Sequence, residues 1–294
     1  MALRDRMRIF HDPRCVNYGQ PGHPERPERI LGTVRFLKQR HPAWTWEEPT
    51  PASREDLLRV HSSDYLKQVA NPLAVFDADC PTYPQIDEHA ARSAGAAIAA
   101  ARAAMKGERA FTLMRPPGHH ALRDRAMGFC YFANISLATL DAITHGCDRV
   151  AIWDFDAHHG NGTEAIVKGN EKVLFASIHQ NPGWPGTGTK SFANILNYPI
   201  APYSPRAIHV RAVEEALEKL IAFKPELLLV SAGFDAYAND PITQMTLARE
   251  DFATFGRWLS QTTVPTAAIL EGGYSDELPE LIDAFLTEWN SAAS

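Results

Sequence analysis

The sequence lacks the features that mark several large classes of protein. Its 294 residues contain no apolar run near the roughly 20 residues that a membrane-spanning helix requires. The four cysteines, Cys15, Cys80, Cys130 and Cys147, show neither CxxC nor CxxH spacing, so we predict free thiols. The first six residues lack the apolar core of a signal peptide, and together with the free thiols they predict a cytoplasmic protein.

Net positive charge, linkers and repeats are missing as well. The net charge of -6 argues against a broad electrostatic contact with nucleic acid, so we expect no direct nucleic-acid partner. No Gly/Ser-rich or Pro-rich linker, low-complexity tract or internal repeat divides the chain. Because 45% of the residues are hydrophobic, the chain can bury one large core, and we predict a single domain over residues 1–294.

The chain does contain a regular alternation of short apolar segments with longer helical ones. One helical segment, His89–Met105, is rich in alanine, the strongest helix former. The alternation predicts an α/β fold in which an open parallel sheet has helices on both faces. The predicted strands are Met7–Phe10, Phe111–Met114, Val150–Trp153, Val173–Ile178, Ile195–Tyr198, Leu227–Ser231 and Thr266–Leu270.

Metal-binding groups follow the predicted strand Val150–Trp153. Asp154, Asp156 and His158 lie at i, i+2 and i+4, a spacing that places side chains on one face of an extended strand. Carboxylate and imidazole are good ligands for Zn²⁺ or another first-row dication, and the absence of thiolate favours an open, catalytic site. Alternatively, the carboxylates cap a helix, and His158 and His159 are ordinary loop residues.

Three further predicted strands end in candidate functional residues. Asp235 is the natural third metal ligand, although a turn or cap is the commoner role for such an aspartate. The adjacent pair His119 and His120 can share the removal of a proton from water and its delivery to a leaving amine. Tyr274 can donate a hydrogen bond to a developing oxyanion, or simply pack at a turn. Because parallel strands end at one edge of a sheet, we expect these groups to meet there.

Taken together, these segments resemble the zinc-dependent histone deacetylase superfamily, which includes bacterial histone-deacetylase-like enzymes and acetylpolyamine amidohydrolases. Several motifs look like the class II branch. The resemblance implies an arginase/deacetylase-like fold, and hydrolysis of the amide of N-ε-acetyl-lysine in a protein or peptide to free amine and acetate. The matching segments are His23–Arg29, Arg115–Ala121, Gly128–Cys130, Asp154–Gly162, Pro185–Gly188, Ser231–Asp235 and Glu271–Tyr274.

The resemblance implies two ion sites. Asp156, His158 and Asp235 would bind one catalytic zinc ion and leave room for the scissile carbonyl and a water, with iron or cobalt left open as the native metal. A structural potassium or sodium ion would lie near the zinc. Its implied ligands are Asp154, Ser177 and Ile178, shared with Asp156 and His158, and Ile178 would contribute its backbone carbonyl.

The resemblance also assigns the acid and base groups. His120 would be the general base and then the general acid, with Asn161 as its partner. Because Asn161 is uncharged, it gives His120 less reason for a raised pKa, which suits a base that must begin neutral. His119, paired with Asp154, would tune charge and hold the water. Tyr274 would polarise the carbonyl.

The implied substrate tunnel has aromatic walls. Phe129 would form one wall and Trp184 another, where many relatives have phenylalanine, so the larger indole is expected to narrow or reshape the entrance. Asp79 matches a rim aspartate that accepts hydrogen bonds from the backbone of a peptide substrate. The predicted substrate-binding residues are Asp79, Gly128, Phe129, Trp184, Ile242 and Gly272.

Several alternatives stay open. Some polyamine deacetylases place a gatekeeper glutamate seven residues after the third metal ligand, where this chain has Ile242, which favours an acylated lysine peptide over an acetylated amine. An acetylpolyamine amidohydrolase remains the alternative, because bacterial members can select substrate by dimerisation. A non-catalytic acyl-lysine binder would not need His119, His120 and Tyr274. An arginase-like two-metal hydrolase would need further carboxylates around a second ion.

Overall fold

The computed structural model describes residues 7–291, so the first six residues, on which the signal-peptide prediction depends, lie outside the described part. The predicted alternation gives one sheet. Its strands are β1 (Arg8–Phe10), β2 (Thr45–Glu47), β3 (Ala110–Thr112), β4 (Val150–Asp154), β5 (Val173–Gln180), β6 (Ile195–Ile200), β7 (Leu227–Ala232) and β8 (Thr266–Leu270). The helices are α1 (Glu28–Arg40), α2 (Arg54–Leu58), α3 (Ser63–Ala70), α4 (Ile86–Met105), α5 (Asn134–Thr144), α6 (Asn161–Val167), α7 (Arg206–Ala222), α8 (Arg249–Gln261) and α9 (Leu278–Asn290), besides a 3₁₀ helix at Pro13–Val16.

All pairings between neighbouring strands are parallel, and the strand order is β2-β1-β3-β8-β7-β4-β5-β6. Every residue of β4, β7 and β8 is buried. Parallel strands that are buried throughout need cover on both faces of the sheet, and the helices provide it. The predicted open parallel sheet with helices on both faces is therefore confirmed.

The structure differs from the sequence prediction at several elements. The strand β2 was not predicted, because its residues Thr45 and Glu47 are exposed and only Trp46 is apolar. The helix α4 begins at Ile86, three residues before the predicted start. On an extended strand the spacing would place Asp154, Asp156 and His158 on one face, but β4 ends at Asp154, and Asp156 and His158 lie in the loop that follows it.

The register brings the functional segments to one edge of the sheet. Asp154, the last residue of β4, lies opposite Ser177 of β5 on one side and Ser231 of β7 on the other. Because the strands are parallel, the loops after β3, β4, β7 and β8 all leave from this edge. All four cysteines are buried and free, as expected. Among the described residues, no helix is both long and apolar enough to cross a membrane.

Candidate active site

Asp156, His158 and Asp235 come together beyond the ends of β4 and β7. Each offers one ligand atom, and the three atoms lie within 4.8 Å of one another. Nδ1 of His158 is 2.8 Å from Oδ2 of Asp235 and 3.3 Å from Oδ1 of Asp156. Within residues 7–291 this is the one group of three such side chains placed to hold a metal ion. The arginase-like alternative therefore lacks a second ligand cluster in the described part of the chain.

Backbone donors and glycines fix the two carboxylates. Oδ2 of Asp156 accepts a hydrogen bond from the Gly272 amide at 2.8 Å, and Oδ1 of Asp235 accepts one from the Ala157 amide at 2.8 Å. A Cβ atom at Gly233 would collide with Asp156, and one at Gly272 would collide with both carboxylates. Only glycine leaves room for the ligand carboxylates at these two positions.

The charges of this cluster fit a dication. Burial would lower the pKa of His158, but Asp235 and Asp156 raise it to about 10. Burial would likewise raise the pKa of Asp156, but the imidazoles of His119 and His158 hold it well below its usual value. Two buried carboxylates with one imidazole form a donor set of the type that binds catalytic zinc, so the residues present fit this ion.

The adjacent histidines have different partners and opposite pKa shifts. Nδ1 of His119 donates to Oδ2 of Asp154 at 3.0 Å, and Nδ1 of His120 donates to Oδ1 of Asn161 at 2.7 Å. Burial opposes charge on both rings, but Asp156 and Asp154 raise the pKa of His119 well above its ordinary value. Burial and the neighbouring imidazoles lower the pKa of His120 well below its ordinary value. His120 is therefore a neutral imidazole whose Nε2 can accept a proton.

Tyr274 follows β8 and is 6% exposed. Its amide donates to Oδ2 of Asp240 at 2.8 Å, and the Ile242 amide donates to Oδ1 of the same carboxylate at 3.1 Å. The guanidinium of Arg29 lies 4.8 Å from the centre of the Tyr274 ring. Burial raises the pKa of Tyr274 well above its usual value, so the phenol keeps its proton and can donate it in a hydrogen bond.

Sequence reasoning did not assign roles to Glu271 and Asp240. The buried Glu271 carboxylate accepts hydrogen bonds from the amides of Gly118 and His119 at 2.7 and 3.1 Å, and from the Ser231 hydroxyl at 3.1 Å. It thereby ties the histidine loop to the ends of β7 and β8. The sequence does contain a signal for this role, because Glu271 directly follows an apolar strand. A carboxylate that is buried at such a position needs several hydrogen-bond donors.

A cavity of about 290 Å³ leads to these groups. The ring of Trp184 lies 4.6 Å from that of His120, and the ring of Phe129 lies 5.7 Å from that of Tyr274. Gly272 was predicted to bind substrate but is absent from this lining, and its amide donates to the Asp156 carboxylate. The lining residues are Pro24, Asp79, His120, Gly128, Phe129, His158, Trp184, Ile242 and Tyr274.

The residues implied for a monovalent cation lie beside the metal cluster. Asp154 and Ser177 face each other on neighbouring strands, and Ile178 follows Ser177 in β5. Oδ1 of Asp154 accepts a hydrogen bond from the Asp156 amide at 3.2 Å. His159, in contrast, is not one of the three candidate ligands, and its Nδ1 lies 2.7 Å from the Thr187 hydroxyl.

Comparison with known families defines the class. Residues 23–288 match the model of the histone deacetylase domain, so the chain belongs to this family. The family resemblance expected from the motifs is confirmed, and the chain is an enzyme of the histone deacetylase-like amidohydrolases. A non-catalytic binder is therefore the wrong class.

Individual relatives carry different substrate names. A histone deacetylase-like amidohydrolase of Pseudomonas aeruginosa is 38% identical, covering 87% of this chain and 73% of the relative. A probable deacetylase of Archaeoglobus fulgidus is 34% identical, covering 92% and 81%. The crystal structure of an acetylpolyamine aminohydrolase from Burkholderia pseudomallei superposes with a TM-score of 0.89 at 27% identity, covering 97% of this chain and 99% of that chain.

Proposed function

We propose that this protein is a zinc-dependent deacylase that hydrolyses the amide of N-ε-acetyl-lysine in peptides or proteins. One observation carries the proposal: a neutral histidine, a protonated tyrosine and a dication-binding trio line or adjoin the same cavity of about 290 Å³. Asp156, His158 and Asp235 would hold the ion. When bound, zinc polarises a carbonyl and lowers the pKa of an attacking water.

The side chains around the cavity supply the proton transfers. Nε2 of His120 takes a proton from the attacking water and later delivers it to the leaving amine, while Asn161 holds the proton on Nδ1. The His119 imidazolium, paired with Asp154, adds positive charge beside the developing oxyanion. The Tyr274 phenol donates a hydrogen bond to this oxyanion. Acetate and a free lysine amine are the products.

The rim supports an acyl-lysine substrate. Asp79 is the one charged side chain other than histidine in the cavity lining, and its carboxylate can accept hydrogen bonds from the amides of a peptide. Ile242 lines the cavity where some polyamine enzymes carry a glutamate, so no second carboxylate there attracts a diamine. We further propose a single catalytic domain, a potassium or sodium ion at Asp154 and Ser177, and a cytoplasmic location.

A substrate comparison tests the proposal. The zinc-loaded enzyme should show a higher kcat/KM for an acetyl-lysine peptide than for N-acetylputrescine. Replacing Asp79→Asn should raise KM for the peptide by about tenfold with a smaller effect on kcat, because the lost interaction is one of binding. Asp64→Asn serves as the matched control, since the Asp64 side chain is 92% exposed and pairs only with Lys67 locally. A preference for the diamine would instead support an acetylpolyamine amidohydrolase, since acetylpolyamine is the substrate in the name of the Burkholderia pseudomallei structure.

A further inference from the structure

His159 adjoins the metal ligand His158 in sequence, but its ring serves a different segment. The imidazole is 1% exposed. Its Nε2 lies 3.1 Å from Oε2 of Glu164, and its Nδ1 lies 2.7 Å from the hydroxyl of Thr187. Because the Glu164 carboxylate only accepts, Nε2 must carry a proton and donate it, which leaves Nδ1 to the hydrogen bond with the Thr187 hydroxyl. Asn197 of β6 donates to the same Glu164 oxygen at 2.7 Å and fixes it.

A second buried histidine holds the next residue of that segment. Nε2 of His179 donates to the Gly188 carbonyl at 3.0 Å, and its Nδ1 accepts from the Ser177 hydroxyl at 2.9 Å. The rings of His159 and His179 are 4.6 Å apart. A Cβ atom at Gly188 would lie 2.5 Å from one ring and 2.6 Å from the other. The two imidazoles therefore hold Thr187 and Gly188, and they leave no space for a side chain at Gly188.

Thr187 and Gly188 directly follow the turn that carries Trp184. The Gly186 amide donates to the Gly183 carbonyl at 2.8 Å, which closes a turn around Trp184 and Pro185. At the other end of this loop, the Asn181 amide donates to the Ile200 carbonyl at 2.8 Å. The loop over 181–188 is thus anchored to β6 at one end and to the histidine pair at the other, and its indole forms a wall of the cavity.

We propose that His159 is a positioning residue for substrate binding: together with His179 it clamps Thr187 and Gly188 and thereby fixes Trp184 in the tunnel wall. The kinetic consequence rests on the deacylase function proposed above. The structural consequence does not, because it concerns only where the indole lies. Breaking the contact to Thr187 releases the loop, so that Trp184 becomes more accessible and the tunnel fits its substrate less well.

Thr187 offers a test that spares the buried histidines. Thr187 is exposed, so Thr187→Val removes the hydroxyl at nearly constant size, Thr187→Ser retains the hydroxyl, and Thr189→Val makes the same exchange two residues away. Iodide quenching of fluorescence reports Trp184, which is 41% exposed while Trp44, Trp153 and Trp289 are buried. A Trp184→Phe background isolates its contribution from the other five tryptophans.

We expect Thr187→Val to raise the quenching constant of Trp184 and to raise KM for an acetyl-lysine peptide about threefold, with kcat within about twofold of wild type. Thr187→Ser and Thr189→Val should match the wild type in both measurements. Combining Thr187→Val with His159→Phe should raise KM little beyond the stronger single variant, because both remove one contact.

Unchanged quenching in Thr187→Val, or equal effects of Thr187→Ser and Thr187→Val, would overturn the clamp. Fully additive effects of Thr187→Val and His159→Phe would overturn it too. Absence of peptide hydrolysis by the wild type would instead refute the proposed function, and the quenching measurement would still decide whether the clamp exists.

Discussion

His119 and His120 are neighbours in the chain, yet their surroundings give them opposite charge states. Their ring centres are 3.9 Å apart, so a charge on one ring opposes a charge on the other. The carboxylate of Asp154 keeps the proton on His119, whereas His120 faces the uncharged amide of Asn161. Asp156 and Asp154 thus keep His119 charged, whereas burial and the neighbouring imidazoles keep His120 neutral, and its partner Asn161 adds no negative charge to oppose them.

Replacing Asn161→Asp should therefore alter the pH dependence of activity. A carboxylate 2.7 Å from Nδ1 favours the protonated ring and raises the pKa of His120. Because the base must begin neutral, the acidic limb of the kcat/KM profile should move to higher pH by roughly one unit or more. Asn71→Asp, an exposed site at the end of α3, makes the same charge change as a control. A limb that stays in place would contradict the assignment of His120 as the base.

At the scale of single elements, the sequence predicted the strands that carry the site because each is a short apolar run followed by polar residues. The strand β8 was predicted with its observed bounds, and β4 and β7 within one residue. The strand β2 was not predicted, because an edge strand with exposed side chains has no apolar pattern in its sequence. The hydrogen bonds that the amides of Gly118 and His119 donate to Glu271 could not be predicted either, because they join segments more than 150 residues apart.

The helix α7 contains a buried histidine that should make stability depend on pH. His209 is fully buried and neither ring nitrogen has a hydrogen-bond partner. Burial lowers its pKa to about 4. In the unfolded chain the value is about 6.5, so between these values the unfolded state binds more protons and the free energy of unfolding falls as the pH falls.

We expect His209→Leu to flatten this decline. The variant should lose up to about 1.4 kcal/mol per pH unit of the slope between pH 6.5 and 4, measured by urea unfolding in the presence of a chelator. His61, whose pKa burial lowers to about 4, contributes the same slope to both proteins and so cancels in the difference. Parallel curves for the wild type and the variant would refute the role of His209.

At the scale of the whole molecule, the metal cluster joins segments that are distant in sequence. Asp156 and Asp235 are fully buried, and a bound dication would offset their charge and crosslink the loops after β4 and β7. A ligand that binds only the native state stabilises it by about 4 kcal/mol at a thousandfold excess over its Kd. Zinc should therefore raise the thermal stability of the entire domain and not just its activity.

Removing the metal with a chelator should lower Tm, and added zinc should restore it. Asp235→Asn should abolish this response, because it removes one of the two carboxylates that, with His158, would bind the ion. Asp276→Asn, at a side chain that is 92% exposed and pairs with Arg26, should retain it. Differential scanning calorimetry measures these changes in Tm. If the Tm of the wild type were the same with and without zinc, the assigned metal site would be excluded.

The strand order determines when the sheet can be completed during synthesis of the polypeptide. Among the strands of residues 7–291, β8 is synthesised last, yet it lies between β3 and β7 in the middle of the sheet. Until residues 266–270 leave the ribosome, the strands made earlier form two separate groups, each with an open edge. Union of the two groups, and with it the approach of Tyr274 to His119 and His120, must therefore await β8. The nascent chain is therefore exposed to misassembly until β8 inserts between β3 and β7.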